Sequence, residues 1–197
     1  MFIQTETTPN PNSLKFLPGR DVSPGRTLEF ATPDEAVRSP LAEALFDIQG
    51  VERVLFGPDF IAVSRKDDAP RDWDQMKAPV LAAIMDHFVA GAPLTTEAGA
   101  STPAAPEGGH NDTVYEGDTA AVVAVIKDLL DTRIRPAVAQ DGGDIVFDRF
   151  EPENGTVWLH LRGACSGCPS SSATLKAGVE NMLKHYVPEV IRVEQTL

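Results

Sequence analysis

The sequence predicts an α+β protein built as two small domains joined by a flexible linker. Three observations carry that expectation. At 197 residues, with 42% hydrophobic and 7% aromatic content, the chain is ordinary globular material with room for one large or two small domains. Two blocks of strand and helix periodicity, residues 1–90 and 118–197, flank residues 91–117, where Gly, Pro, Ala, Ser and Thr replace bulky apolar side chains. Within the second block the elements run α-β-β-α-β, an order that lays two helices on one face of a three-stranded sheet.

In the first block, residues 2–6 and 13–17 read as short strands around Thr8-Pro9-Asn10-Pro11-Asn12, whose prolines and asparagines favour a turn. Residues 27–30 suggest a third strand, and Thr32-Pro33-Asp34-Glu35 a short helical turn. Ser39-Pro40 is a helix start, Leu41, Ala44, Leu45 and Ile48 recur at helical spacing, and Gly50 closes the element. Residues 51–56 and 60–65 form a hairpin across Gly57-Pro58-Asp59. A last helix covers residues 73–88, with Met76, Val80, Ile84 and Phe88 on one face and Pro79 predicting a kink or a late start. Helices are expected on one face of an antiparallel or mixed sheet.

Residues 91–117 hold few bulky apolar groups beyond Leu94, Val114 and Tyr115, too few to offset the entropy of ordering them. As a free coil the segment would reach roughly 30 Å. It carries Glu97, Glu107, Asp112 and Glu116 with no Lys or Arg, so the domains are expected to be tethered and not locked.

The second block opens on Val122, Ile126, Leu129, Leu130 and Ile134 at helical spacing, with Pro136 expected to kink or end the helix. Gln140-Asp141-Gly142-Gly143-Asp144 turns the chain into strands 145–150 and 156–161, joined by Glu151-Pro152-Glu153-Asn154-Gly155 with its hairpin-forming Asn-Gly. A helix over 173–186 and a strand over 190–193 complete the order.

Net charge of −12 and the absence of any basic stretch argue against nucleic acid and against an anionic membrane surface. No apolar run approaches the ~18 residues that span a bilayer, and the opening residues do not read as a leader or presequence. A bacterial cytoplasm is the expected location, or the mitochondrial matrix for a processed organellar protein. The chain has only two cysteines, Cys165 and Cys168, spaced as a ligand pair, which fits a reducing compartment better than a disulfide framework.

The two cysteines lie between a strand and a helix, in Arg162-Gly163-Ala164-Cys165-Ser166-Gly167-Cys168-Pro169. Pro169 suits the first helical position, which puts Cys168 near the N-cap, where unpaired N–H groups and the helix dipole favour a thiolate. Gly163 and Gly167 are expected to let both sulfurs point outward from an exposed turn. Two thiolates are half of a tetrahedral set, and no further cysteine is present, so a second copy of the chain is the economical source of the remainder.

The stretch from Gly163 to Ser171, the preceding Gln140-Asp141-Gly142-Gly143-Asp144-Ile145, and the helix ending in Val187-Pro188-Glu189-Val190 resemble the C-terminal domain of NifU-like (Nfu-type) iron–sulfur cluster scaffold and carrier proteins. Residues 1–16 resemble the N-terminal domain that accompanies it in mitochondrial and related bacterial members. The resemblance implies a [4Fe–4S] cluster held between two subunits by Cys165 and Cys168 of each, and passed to recipient apoproteins, with [2Fe–2S] as the other cluster type. It implies a homodimer on cluster binding, upstream cluster-assembly partners and no enzymatic turnover. The N-terminal domain, with no visible ligand set, is assigned to recognising partners.

Two readings compete. A zinc shared by two chains accepts the same sulfurs. A thiol–disulfide oxidoreductase also places Cys-x-x-Cys before a helix, although here the intervening pair is Ser166-Gly167 and the order of elements is not the βαβ arrangement of that fold. His87 and His185 fall on expected helices, His110 in the linker and His160 off the apolar strand face, so each reads as a surface or boundary residue. Turn hydrogen bonds account for Asp141 and Asp144 without chemistry.

Overall fold

A computed structural model describes residues 2–96, 110, 111, 113–165 and 169–196, the side chains of 169–172 excepted. The N-terminal strands are β1 (Gln4–Thr7), β2 (Ser13–Leu17), β3 (Leu28–Phe30), β4 (Val51–Phe56) and β5 (Ile61–Arg65), paired in the order β1-β2-β5-β4-β3. Every pairing is antiparallel. Helices α1 (Pro33–Ala36), α2 (Pro40–Phe46) and α3 (Trp73–Ala90) bury Leu41, Leu45, Met76, Val80 and Ile84 against Leu14, Phe16, Val54, Phe56, Ile61 and Val63 of the sheet.

Local chemistry sets the helix starts. Ser39 accepts from Ala42 N at 3.2 Å with Pro40 in the first turn, and Thr32 accepts from Glu35 N at 3.3 Å. Pro79 neither delays α3 nor breaks it: the proline removes one backbone donor in a helix held by its buried face. The helix ends at Gly91, whose φ of 62° allows its N–H to reach the His87 carbonyl.

In the C-terminal domain α4 (Gly117–Leu129) leads through a π-helical turn (Leu130–Ile134) into α5 (Arg135–Gln140). Pro136 was expected to kink or end this helix, and the α-helical run is interrupted directly ahead of it by the π-helical turn before it continues. The Arg135 N–H reaches back five residues to the Leu130 carbonyl, which relieves the clash a proline ring makes with the carbonyl one α-turn earlier.

β6 (Gly143–Glu151) and β7 (Thr156–Gly163) are antiparallel, and β8 (Arg192–Gln195) lies parallel to β7 after the crossing helix α6 (Pro169–Tyr186). Ile126, Leu130 and Val138 from the first helical run and Val179 and Leu183 from α6 share one core with Ile145, Phe147, Leu159 and Val193, so both helices cover one face of the three-stranded sheet. The unit β7-α6-β8 is a βαβ crossover, so element order does not separate this domain from thiol–disulfide folds as expected.

Both described ends of the linker are anchored. Leu94 packs on the N-terminal core. Phe147 N donates to His110 Nδ1 at 2.9 Å, and Phe150 N donates to the Tyr115 hydroxyl at 2.8 Å. The linker therefore supplies polar partners to the free edge of β6 as well as reach.

At Gly155, in the β6–β7 turn, φ is +63° and a Cβ would lie 2.6 Å from the Glu189 carbonyl oxygen and 3.0 Å from Ile191 Cβ. Gly155→Ala should cost about 2–3 kcal/mol in urea unfolding, from left-handed strain plus overpacking; a loss below about 0.5 kcal/mol contradicts this packing. His110 is buried with Nδ1 accepting, so its remaining proton is on Nε2, 3.1 Å from Asp131 Oδ1 but poorly aligned with it. Burial holds its pKa below the ordinary value, against an opposing pull from Asp131. The unfolded chain then takes up the proton first as pH falls, so this stability is present above about pH 6.5 and is lost below it. His87 and His160 shift the same way through burial. His110→Gln should flatten part of the decline in unfolding midpoint between pH 7 and 5, and an unchanged slope contradicts the assignment.

Candidate cysteine site

Antiparallel pairing brings the start of β6 beside the end of β7, with Gly143 opposite Gly163. The Asp-Gly-Gly-Asp turn and the cysteine loop therefore meet at one end of the hairpin, although they are twenty residues apart in sequence. Ala164 N donates to the Gly142 carbonyl at 3.3 Å, closing the junction. A Cβ on Gly143 would lie 2.5 Å from Cys165 Sγ and 3.0 Å from the Arg162 carbonyl, so only glycine leaves room for the sulfur.

Cys165 does not point outward. It is 7% exposed and belongs to the C-terminal core beside Val179 and Leu161. Burial first, then the Asp141 and Asp144 carboxylates, push its thiol up to about 12. The expected stabilisation of thiolate is reversed at this position, where burial favours the protonated thiol. The reason lies in the loop's direction. The chain leaves β7 at Gly163, φ +64°, and turns the next side chains under the hairpin instead of away from it. Pro169 is the first residue of α6, while Cys168 and the intervening Ser166 and Gly167 lie outside the described residues.

Asp144 is 3% exposed and is not merely a turn former. Its carboxylate takes Arg135 Nε at 2.9 Å and Arg135 Nη2 at 3.1 Å, and accepts from the Thr27 hydroxyl of the N-terminal domain. Asp131 holds the same guanidinium at 2.9 Å. These residues, with Gly143, form the support of the sulfur; the Asp-Gly-Gly-Asp signature marked the position without disclosing that role. A cleft of about 630 Å³ opens next to Cys165 between α5 and α6, lined by Ile134, Val138, Leu175 and Met182, with Pro9 and Asn10 of the N-terminal domain at its wall.

Among the described residues no cluster of three or more His, Cys, Asp or Glu is placed to hold a metal ion. His160 lies on the face of β7 opposite Leu159 and Leu161, 3.8 Å from Asp148.

Arg135→Met should cost about 3–5 kcal/mol in chemical unfolding, because it leaves the Asp144 carboxylate buried without its cation. Adding Asp144→Asn should recover a large part of that loss; no recovery contradicts the pairing.

Residues 3–91 match the family described as scaffold protein Nfu/NifU N terminal, and residues 126–194 match the NifU-like domain. The human protein named NFU1 iron-sulfur cluster scaffold homolog, mitochondrial, is 52% identical over 197 residues, covering 100% of this chain and 72% of its own length. NifU-like protein 4, mitochondrial, from Arabidopsis thaliana is 50% identical over 195 residues, covering 99% of this chain and 66% of its own. A solution NMR structure of a NifU-like protein from Saccharomyces cerevisiae aligns at 25% identity with a TM-score of 0.44, over 49% of this chain and 86% of that one. Both domains are thus matched in order, and the human relative shares half its residues along this whole chain: the chain belongs to the Nfu/NifU family of scaffold proteins.

Proposed function

We propose that this protein is an iron–sulfur cluster scaffold and carrier, in which Cys165 and Cys168 of two chains hold one [4Fe–4S] cluster and release it to recipient apoproteins. The observation that carries the proposal is a conjunction. The chain's only two cysteines form Cys-x-x-Cys inside the matched NifU-like domain, and relatives about half identical over its length are named as cluster scaffolds. Two thiolates satisfy half of a four-sulfur shell, so the second chain completes it. The donor set suits soft metal: two thiols at ligand spacing.

Delivery proceeds by exchange of ligands. A recipient thiolate displaces one carrier thiolate at a time, each released sulfur regaining its proton. Cys165 is suited to the receiving end of that exchange, since its raised pKa favours return to the thiol once the cargo leaves. No turnover chemistry is required of the protein. The human and Arabidopsis relatives are named as mitochondrial, which of the two compartments expected favours the mitochondrial matrix. The N-terminal domain, residues 1–90, recognises partners, and residues 91–117 connect it to the cluster domain.

Against the rival reading as a thiol–disulfide oxidoreductase stand the two family matches, which between them describe both domains of this chain as Nfu/NifU.

Anaerobic reconstitution with ferrous iron and sulfide tests the proposal. The native chain should turn brown and run as a dimer by light scattering. Cys165→Ala and Cys168→Ala should each abolish colour and dimer while keeping native circular dichroism, with about 1 kcal/mol lost at the buried Cys165. Retained colour in either variant refutes the ligand assignment.

A further inference from the structure

The N-terminal sheet has a second face, turned away from α1–α3, and it is not free. Leu55, Phe60 and Ala62 form a separate buried cluster there, and Ala139 of α5 packs onto it. Lys15, on β2 of the same face, is 7% exposed, with its ammonium 4.9 Å from the Phe60 ring and 3.5 Å from the Gln140 carbonyl. A Cβ on Gly142 would sit 3.2 Å from Thr8 Cγ2 and 3.5 Å from Ala62 Cβ, and one on Gly163 would sit 2.6 Å from Leu55 Cδ2.

The polar contacts across this seam converge on the two segments that frame the sulfur. Asn10 Nδ2 donates to the Ala164 carbonyl at 3.1 Å, Gly163 N donates to Glu29 Oε1 at 2.9 Å, and Thr27 donates to Asp144. Pro9 and Asn10 wall the cleft beside Cys165. The seam mixes a few apolar contacts with hydrogen bonds, the character of interfaces between domains of one chain that open. A sulfur shared with a second chain must face that chain, yet the residue next to Cys165 is already bonded to Asn10.

From this arrangement we propose that the outer face of the N-terminal sheet is a reversible cover for the segment Gly163–Cys165 and the turn beside it, and that it competes with a second copy of the chain for the same surface. In the covered form Cys165 is shielded and the cleft is walled. In the open form the loop is free to meet its counterpart in another subunit. What the opening serves rests on the scaffold reading above; the cover itself does not.

The test uses the full chain in a Cys168→Ser background, where Cys165 is the sole thiol, and follows iodoacetamide alkylation by intact mass at one pH. Ala62→Glu places a charge in the seam, outside the main core of the N-terminal domain, and should raise the rate at least tenfold. Glu29→Ala removes one seam bond without touching either core and should raise it by a smaller factor. Equal rates in the parent and both variants, all with native circular dichroism, overturn the cover. Anaerobic cluster loading of Ala62→Glu with both cysteines restored separates the two ideas. Faster colour formation than in the native chain supports competition, and an unchanged rate of loading overturns it. If alkylation accelerates while neither protein takes up iron and sulfide, the cover stands and the scaffold reading falls.

Discussion

A glycine turn pressed on one side against a cysteine sulfur and on the other against a neighbouring sheet organises the molecule's active end. Gly143 has no room for a Cβ because Cys165 occupies that space, and Gly142 abuts Thr8 and Ala62 of the N-terminal domain. The hairpin register that sets Gly143 opposite Gly163 makes this approach possible. Arg135, half-buried, pairs with the buried Asp144 and fixes the turn from behind, since a carboxylate that deep holds its place only with its cation. Position of the sulfur, strand register and the seam between domains are consequences of one close contact.

That contact gives the site a character different from an open metal-binding loop. A thiol kept protonated by burial and by two carboxylates is protected from oxidation and from stray metal, because the thiolate is the reactive form. Burial also opposes cargo binding. In the proposed scheme protection and cargo binding alternate through the seam, which is made of a few side-chain bonds and a small apolar cluster.

Much of the fold was readable from the sequence because its signals are local. Ser39-Pro40, Thr32-Pro33, the alternation in β2 and β5 and the Asn154-Gly155 turn each act within a few residues, and each element stands where that chemistry puts it. Pro136 marked a break in the α-helical run without giving its form: a π-turn accommodates the proline while Leu130, Ile134 and Val138 stay in the core. The burial of Lys15, Ala62 and Cys165 was not readable at all. Each is covered by residues from the other domain or from a turn distant in sequence, and a polar residue alternating on a strand carries no mark of what will lie across from it. His110 likewise read as linker, and its role in closing the β6 edge depends on Phe147, far along the chain.

The account depends on a shortage of ligands: one chain supplies two sulfurs to a cargo that takes four. Native mass spectrometry of the anaerobically reconstituted, full-length protein tests that shortage most directly. The account predicts a species of two chains plus one iron–sulfur cluster, falling to bare single chains when the cluster is stripped by a chelator. A single chain carrying a complete cluster, or paired chains whose association survives the chelator with unchanged yield, would contradict it.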